Sequence, residues 1–354
     1  MKCKNRNKKI IQTSLIMMFM IILMPCLSGS MADAREIVDM AGRHVEVPDV
    51  IKKVYGTSPP ATFMVYAIEP GMLAGLNLSL DLLDKRYLDR RIYQLPVIGG
   101  QQGGSSPDLE TMLKVQPDII LVWMWNRLSA SNEKMERALK PFGIPIVYIT
   151  MDSVTDYPDT FRFLGNLLNL KERADALCRY AEQTVKEVEK ACSAIPEKDR
   201  VSVYYAEGAD GLSTECHTSV HARLIPLSGG KNVHRCISSS PYGMQKISME
   251  QVFKYDPEVI VSQEPLFLEL IKTDAKWKNI RAVRDGRIYR IPCVPLNWFD
   301  RPPSFMRLLG LKWMTHSLYP EAYPIDIAAE TRRFYKLFLN VSLDEAMSRE
   351  ILQQ

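Results

Sequence analysis

The chain has 354 residues, of which 46% are apolar and 24% charged, with 18 glycines and 22 prolines. This composition supports a buried core and excludes a disordered chain, a collagen and a coiled coil. The formal charge of +4 comes from residues 1–34, because the rest of the chain carries 40 basic and 40 acidic side chains. A remainder without net charge gives no support for nucleic-acid binding.

The first 34 residues have the pattern of an export signal. Five basic side chains precede an apolar run at 10–24, and a stretch of small residues ends at Ala34. As a helix this run would reach about 22 Å, less than the roughly 30 Å of a bilayer core. We therefore expect a signal peptide at 1–34 and a soluble exported protein. The alternatives are an uncleaved anchor helix and a lipid anchor at Cys26, where Pro25 fits a lipobox poorly.

The mature chain alternates predicted strands and helices in two halves. Apolar and β-branched runs are typical of buried parallel strands, and an apolar helix at 61–68 follows the first of them. This alternation indicates an α/β fold. The predicted strands are 53–55, 118–123, 144–149, 201–205, 258–261 and 287–291.

A long helix is predicted between the halves, from Lys171 to Ile195. This segment has no Pro or Gly, and its apolar residues recur every three or four positions. Asn169 is predicted to cap the helix, and Glu182 is spaced to pair with Lys186. A helix of about 37 Å at the midpoint is predicted to join two lobes. The alternative is a surface helix of one lobe.

One 14-residue unit occurs twice, 140 residues apart. Its copies, 108–121 and 248–261, share Glu, Lys and Pro at the same places and agree at the apolar positions between them. Each predicts a short helix with an acid at its positive end, then a Pro-led turn into a buried strand. The repeat predicts two lobes of similar construction.

Four segments stand in a specific order around the long helix: DLETMLKVQPDIILVW, ISMEQVFKYDPEVIV, LSGGKNV and WKNIRAVRDGRIYRIP. With them the chain resembles the periplasmic binding proteins of ABC importers for iron chelates and cobalamin. The resemblance implies an α/β fold of two Rossmann-like lobes with mainly parallel sheets, joined by one long rigid α-helix. We expect an N-terminal lobe at 35–154, a connecting helical segment at 155–196, and a C-terminal lobe with terminal helices at 197–354.

The resemblance also implies a partner and a cargo. The partner is an ABC permease dimer with its ATPase, and the cargo is a siderophore, haem or corrinoid that is delivered without chemistry. In that family a Glu on each lobe docks against permease arginines, and the matching residues are Glu110 and Glu250. The residues themselves leave open that both acids only cap their helices. We expect a monomer without an intrinsic cofactor.

The predicted cleft lies at the loops that follow the strands, because open parallel sheets bind ligands beyond their carboxyl ends. Aromatic side chains there suit a flat or bulky chelate. Arg301 could pair with an anionic ligand oxygen or with Asp300 or another acid. Strand alternation predicts that only one of Trp123 and Trp125 touches the ligand. The candidate cleft residues are Ser58, Pro59, Gln101, Trp123, Trp125, Tyr242, Trp298 and Arg301.

A short region combines cysteines and histidines. Cys216 and Cys236 could form a disulfide in an oxidising compartment. His217 and His221, four residues apart, would share a helix face as candidate ligands of a metal or haem iron. Capping or surface exposure is the alternative, because no C-x-x-C or H-E-x-x-H pattern is present.

Enzyme activity is not expected. No G-x-S-x-G, P-loop or G-x-G-x-x-G sequence stands at a predicted strand–helix turn, and the five histidines indicate no triad. The alternative function is a binding protein for a transition-metal ion such as nickel, free or carried by a small chelator. A periplasmic sensory or adhesion module is a third class, but such a module would not need the repeated acids Glu110 and Glu250.

Overall fold

The computed structural model describes residues 34–80, 85–100, 107–124, 130–236 and 243–353. The described chain begins with an antiparallel hairpin that the sequence patterns did not predict, β1 (Ala34–Val38) paired with β2 (His44–Pro48). Asp39 shapes its turn, since its Oδ1 accepts hydrogen bonds from the backbone N–H groups of Ala41 and Arg43. Apart from Ala34, the predicted signal peptide lies outside the described residues.

The first half contains a three-stranded parallel sheet of order β3-β4-β5, formed by Val54–Gly56, Ile119–Trp123 and Ile146–Ile149. Side chains of β4 alternate between two buried clusters, one on each face of the sheet. Helices therefore cover both faces, as parallel strands require. They are α1 (Pro59–Ile68), α2 (Leu109–Val115), α3 (Ala130–Leu139) and α4 (Tyr157–Leu167).

The second half begins after the long helix, α5 (Lys171–Ser193), and contains a parallel sheet of order β11-β10-β6-β8. β7 and β9 form a separate antiparallel ribbon. The strands are β6 (Ser202–Tyr205), β7 (Ser213–Thr214), β8 (Lys231–Asn232), β9 (Gln245–Lys246), β10 (Val259–Ser262) and β11 (Ile288–Arg290). The helices are α6 (Leu224–Leu227), α7 (Met249–Tyr255), α8 (Pro265–Thr273), α9 (Arg281–Arg284), α10 (Arg307–Leu318), α11 (Ile327–Phe334), a π-helix at Tyr335–Leu339, and α12 (Glu345–Gln353).

The long helix α5 lies between the halves. It packs against α1 and α4 of the first half and against α6 and α10 of the second. The buried Lys312 of α10 forms an ion pair with α5, since its Nζ lies 3.0 Å from Glu187 Oε2. The same Nζ lies 3.1 Å from Glu330 Oε1 on α11. A buried ammonium group needs such partners. The predicted fold class, two α/β lobes joined by one long helix, is confirmed. Within the described residues, no helix combines the length and apolarity needed to cross a bilayer.

Three details of the predicted long helix are wrong. The helix ends at Ser193 rather than at Ile195. Asn169 does not cap it, because this residue is left-handed (φ 57°) and its Nδ2 donates to the Asp49 carbonyl oxygen. Glu182 pairs with Arg162 of α4 (2.8 Å) rather than with Lys186. In the last two cases a contact with another element replaced the local one that sequence spacing suggests.

The repeated unit takes the same structure twice. The side chains of Asp108 and Ser248 cap α2 and α7, each by accepting a backbone N–H of the first turn. Both helices end in a left-handed residue, Gln116 (φ 48°) and Asp256 (φ 36°). The two 14-residue copies also show the same order of buried, half-buried and exposed side chains. The two halves are therefore similar in local detail as well as in sheet type.

Candidate ligand site at the carboxyl ends of the strands

The predicted cleft residues of the first half that the structure describes lie at the ends of its strands. Ser58 precedes α1, is 5% exposed, and its Oγ has no hydrogen-bond partner among the described residues. Pro59 begins the helix, where its fixed φ is favourable. Trp123, the last residue of β4, is half-buried and its Nε1 donates to Asp152 Oδ1 at 2.9 Å. Gln101, Trp125 and Tyr242 lie outside the described residues.

A pocket lies beside α1. Its walls are one face of that helix, the segment that follows it, and Leu296 from the second half. Its polar residues bond within the protein: Thr62 donates to Asn77 Oδ1, and the Tyr66 hydroxyl accepts from Asp89 N–H. The pocket therefore presents an apolar wall. The α1 residues that line it are Pro59, Thr62, Phe63 and Tyr66.

The second half holds a buried cluster of acids around Arg301. Glu207 follows β6 and Glu215 follows β7; both are fully buried, as is Asp300. Arg301 Nε lies 2.8 Å from Glu207 Oε1 and 3.4 Å from Asp300 Oδ2, and its Nη2 donates to Glu215 Oε1. The Arg301 side chain keeps about a quarter of its surface exposed. Of the two roles left open for Arg301, the structure shows the internal pairing.

The electrostatics of this cluster follow from its burial. Burial raises the pKa of the Glu207 carboxyl to about 9, since the nearby guanidinium only partly offsets the loss of solvation. Burial alone would lower the pKa of Arg301, but the surrounding carboxylates outweigh it and hold that pKa above its usual value. With three acids around it, Arg301 stays charged while Glu207 holds a proton at neutral pH.

The predicted ligand contact of Trp298 needs correction. Its side chain is fully buried in the core, with Nε1 donating to the Val294 carbonyl oxygen. Its backbone packs so closely on α10 that a Cβ at Gly310 would overlap the Trp298 carbonyl oxygen. An aromatic residue in a loop after a strand looked like a cleft residue, yet this loop folds inward as a core element.

The predicted helical His pair is also wrong. His217 lies in a turn, and its Nδ1 accepts from the Cys236 backbone N–H. His221 belongs to a single 3₁₀ turn, with Nδ1 2.9 Å from Asp300 Oδ2. The bond between Cys216 and Cys236 confirms the disulfide hypothesis. Within the part of the chain that the structure describes, no group of three or more His, Cys, Asp or Glu side chains could hold a metal ion.

The repeat acids Glu110 and Glu250 stand on the surface of opposite halves. Glu110 is 79% exposed and 2.7 Å from Lys114 Nζ, one turn further along α2. Hydrogen bonding to Ser248 lowers the pKa of the fully exposed Glu250. Asp108 and Ser248 accept the backbone N–H groups of the first turns, so the caps do not depend on the glutamates.

The acid cluster is the part of the site that the sequence did not reveal. Glu207 and Asp300 lie in loops predicted to border the cleft, but nothing marked them as buried. Glu215 carried no signal, because its partner Arg301 is 86 residues away. The sequence feature that comes nearest to such a signal is Gly243, with φ 63°, because any side chain there would collide with the Glu215 carboxylate.

Comparisons with known proteins assign the chain to a protein family. A family model described as periplasmic binding protein matches residues 94–294, more than half of the sequence. The chain belongs to the periplasmic binding protein family. A solved structure of an ABC transporter solute binding protein from Sulfurospirillum deleyianum DSM 6946 is similar to this periplasmic binding protein with a TM-score of 0.84 and 37% identity. That match covers 90% of this chain and 99% of the other.

More distant relatives have different cargoes. The molybdate-binding protein MolA of Haemophilus influenzae is 22% identical, over 91% of this chain and 96% of its own. A vitamin B12-binding protein of Pectobacterium atrosepticum is 26% identical, over 71% of this chain and 82% of its own. The family resemblance stated from the sequence is therefore confirmed, while the relatives differ in what they bind.

Proposed function

We propose that this protein captures an iron complex (a siderophore or haem) or a corrinoid between its two lobes and delivers it to an ABC permease. It performs no chemistry on the cargo. The observation that carries the proposal is the duplicated unit, which occurs once in each half, together with the long helix α5, which packs against both halves. In the α/β class, ligands bind at the carboxyl ends of the strands.

The site favours a cargo with an apolar part. The pocket beside α1 has an apolar wall, and Trp123 stands at the end of β4. Apolar and aromatic side chains at a binding site suit a ligand that carries an apolar or aromatic group. A free transition-metal ion such as nickel, the alternative, is less favoured because the described residues hold no three-ligand group.

Docking to the permease is proposed to use Glu110 and Glu250. Each glutamate is followed one turn later by an exposed apolar residue, Leu113 and Phe253, each 42% exposed. The same pair on both lobes would meet a partner whose two subunits are related by a two-fold axis. Exposed charges set orientation and association rate more than affinity.

The docking role is tested by reversing both charges. The double variant E110K/E250K should bind its cargo as the wild type does but lose uptake in cells that carry the cognate permease. The matched control is E172K/E189K, which reverses two exposed acids of α5. If E110K/E250K supports the same uptake as this control, the docking role is wrong.

Processing of the export signal and the identity of the cargo can each be measured directly. The N-terminal sequence of protein from its native host should begin near Arg35, and an unprocessed start or a lipid at Cys26 would contradict a soluble exported form. The absorption spectrum of that preparation should show the bands of a haem, a corrinoid or a ferric chelate. A preparation that carries nickel without such bands would favour the alternative cargo.

A further inference from the structure

Arg307 occupies an unusual position for an arginine. It is the first residue of α10 and is 2% exposed. Its Nη1 donates to the Asp152 backbone oxygen at 3.4 Å, at the carboxyl end of β5 in the other half of the molecule. The side chain therefore lies where the second half meets the ligand edge of the first sheet.

One edge of the Arg307 guanidinium has no partner. Nε and Nη2 are buried and make no hydrogen bond with any described residue. The N–H bonds of these two atoms point in nearly the same direction and form the fork that binds a carboxylate or another oxyanion through two hydrogen bonds. Leaving donors of a charged group buried and unmatched is costly in a folded protein.

Neighbouring groups leave this fork unmatched. Asp152 accepts from Arg307 through its backbone oxygen, while its carboxylate accepts from Trp123 Nε1. The Tyr157 hydroxyl donates its proton to the Ser304 carbonyl oxygen, and its own oxygen offers the guanidinium a neutral acceptor but no negative charge. Arg301, in contrast, lies among three acidic side chains. Of these two arginines, Arg307 is the one with capacity for an external anion.

We propose that Arg307 is the anion anchor of the ligand site, and that its Nε–Nη2 edge binds a carboxylate or oxoanion group of the cargo. This inference rests on the proposed function and narrows it to cargoes that carry an accessible oxyanion. Because both donors are covered in this structure, the anion reaches them when the two halves separate slightly, and their closing then buries the pair.

The test compares six probes and three variants. Ferric citrate, haemin, cyanocobalamin and molybdate carry oxyanions, whereas ferrioxamine B and Ni²⁺ present none. Affinities are measured by tryptophan fluorescence and calorimetry for the wild type, R307Q, R307K and R173Q. Arg173 is the matched control, a half-buried arginine whose guanidinium donates to the carbonyl oxygens of Ala67 and Leu337, away from the strand ends.

We expect the wild type to bind at least one oxyanion probe, and R307Q to bind it about 100-fold more weakly, the loss expected for two hydrogen bonds to a charged group. R307K, which keeps the charge and loses the fork, should be intermediate, and R173Q should match the wild type. Without ligand, R307Q should unfold at the wild-type temperature or above, since an unpaired buried charge is removed.

Each outcome decides the proposal. An R307Q affinity within about threefold of the wild type overturns it, as does an apo R307Q that is less stable while its affinity is unchanged. A wild-type protein that binds only ferrioxamine B overturns the anchor but leaves the proposed function standing, whereas one that binds only Ni²⁺ overturns the anchor and favours the alternative cargo. Binding of none of the six probes overturns both.

Discussion

Replacing Arg301 by Met should strongly destabilise the protein, because it leaves a cluster of buried acids without its cation. The guanidinium lies 2.8 Å from Glu207 and also bonds Glu215, and both acids are fully buried. Breaking a buried ion pair by removing one partner costs about 3–5 kcal/mol. Against a total stability of about 5–15 kcal/mol, this loss is a large fraction.

The cost of Arg301→Met should depend on pH in a defined direction. Burial raises the pKa of Glu207 to about 9, so this carboxyl holds its proton at pH 7 and limits the damage there. A carboxyl whose pKa is raised on folding stabilises the protein at low pH, and the stabilisation is lost as pH rises toward the folded-state pKa. Arg301 partly offsets that rise, so without it the loss between pH 7 and pH 9.5 should be steeper.

Urea unfolding at pH 7 and pH 9.5, followed by tryptophan fluorescence, measures both effects. The control is Arg281→Met, which removes two ion pairs, with Glu258 at 3.1 Å and Asp285 at 3.6 Å. This arginine is about half exposed, so the control should lose only about 0–1 kcal/mol. An Arg301→Met variant no less stable than the control, or equally destabilised at both pH values, would refute the reasoning.

Three further changes test other parts of the structure. Glu207→Gln should reduce the decrease in the free energy of unfolding between pH 7 and pH 9.5, as measured by urea unfolding at both pH values. A decrease equal to that of the wild type would show that other groups cause it. Gly310→Ala should destabilise by about 3 kcal/mol, because the new Cβ would overlap the Trp298 carbonyl oxygen, and a wild-type melting temperature would show that α10 can shift freely. Cys216→Ser with Cys236→Ser should lose about 3 kcal/mol for a cross-link across 20 residues. A reducing agent should abolish the difference in stability between the wild type and this double variant. A difference that persists under reducing conditions would show that side-chain packing, rather than the cross-link, causes it.

The sheets and the long helix could be predicted because their signals are local and repeated. β4 and β10 are runs of apolar residues long enough to be buried on both faces, and each follows a copy of the same unit. The apolar stripe of α5 fixed its position to within two residues at the C-terminal end. Its cap was not predictable, since Asn169 bonds a carbonyl oxygen 120 residues away.

The site was less predictable because its contacts join distant parts of the chain. Arg301 gathers acids from the ends of β6 and β7, and spacing along the sequence carries no information about such partners. Trp298 shows the opposite error, in which residue type suggested a ligand contact but tertiary packing placed the ring in the core. The loops after the strands, where the cleft is predicted, contain Arg301 and the buried acids Glu207 and Asp300, but the partners of each side chain depended on three-dimensional neighbours.

Helix α10 links the site to the frame of the molecule. Arg307 at its start lies at the junction of the two halves, Gly310 packs on the backbone of Trp298, and Lys312 is fastened to α5 through Glu187. These residues lie within two turns of one helix, so α10 connects the position of Arg307 with the long helix. Because α5 packs against both halves, a large clamp-like rotation would disrupt that packing. Ligand capture is therefore better served by a small adjustment at the junction than by wide opening.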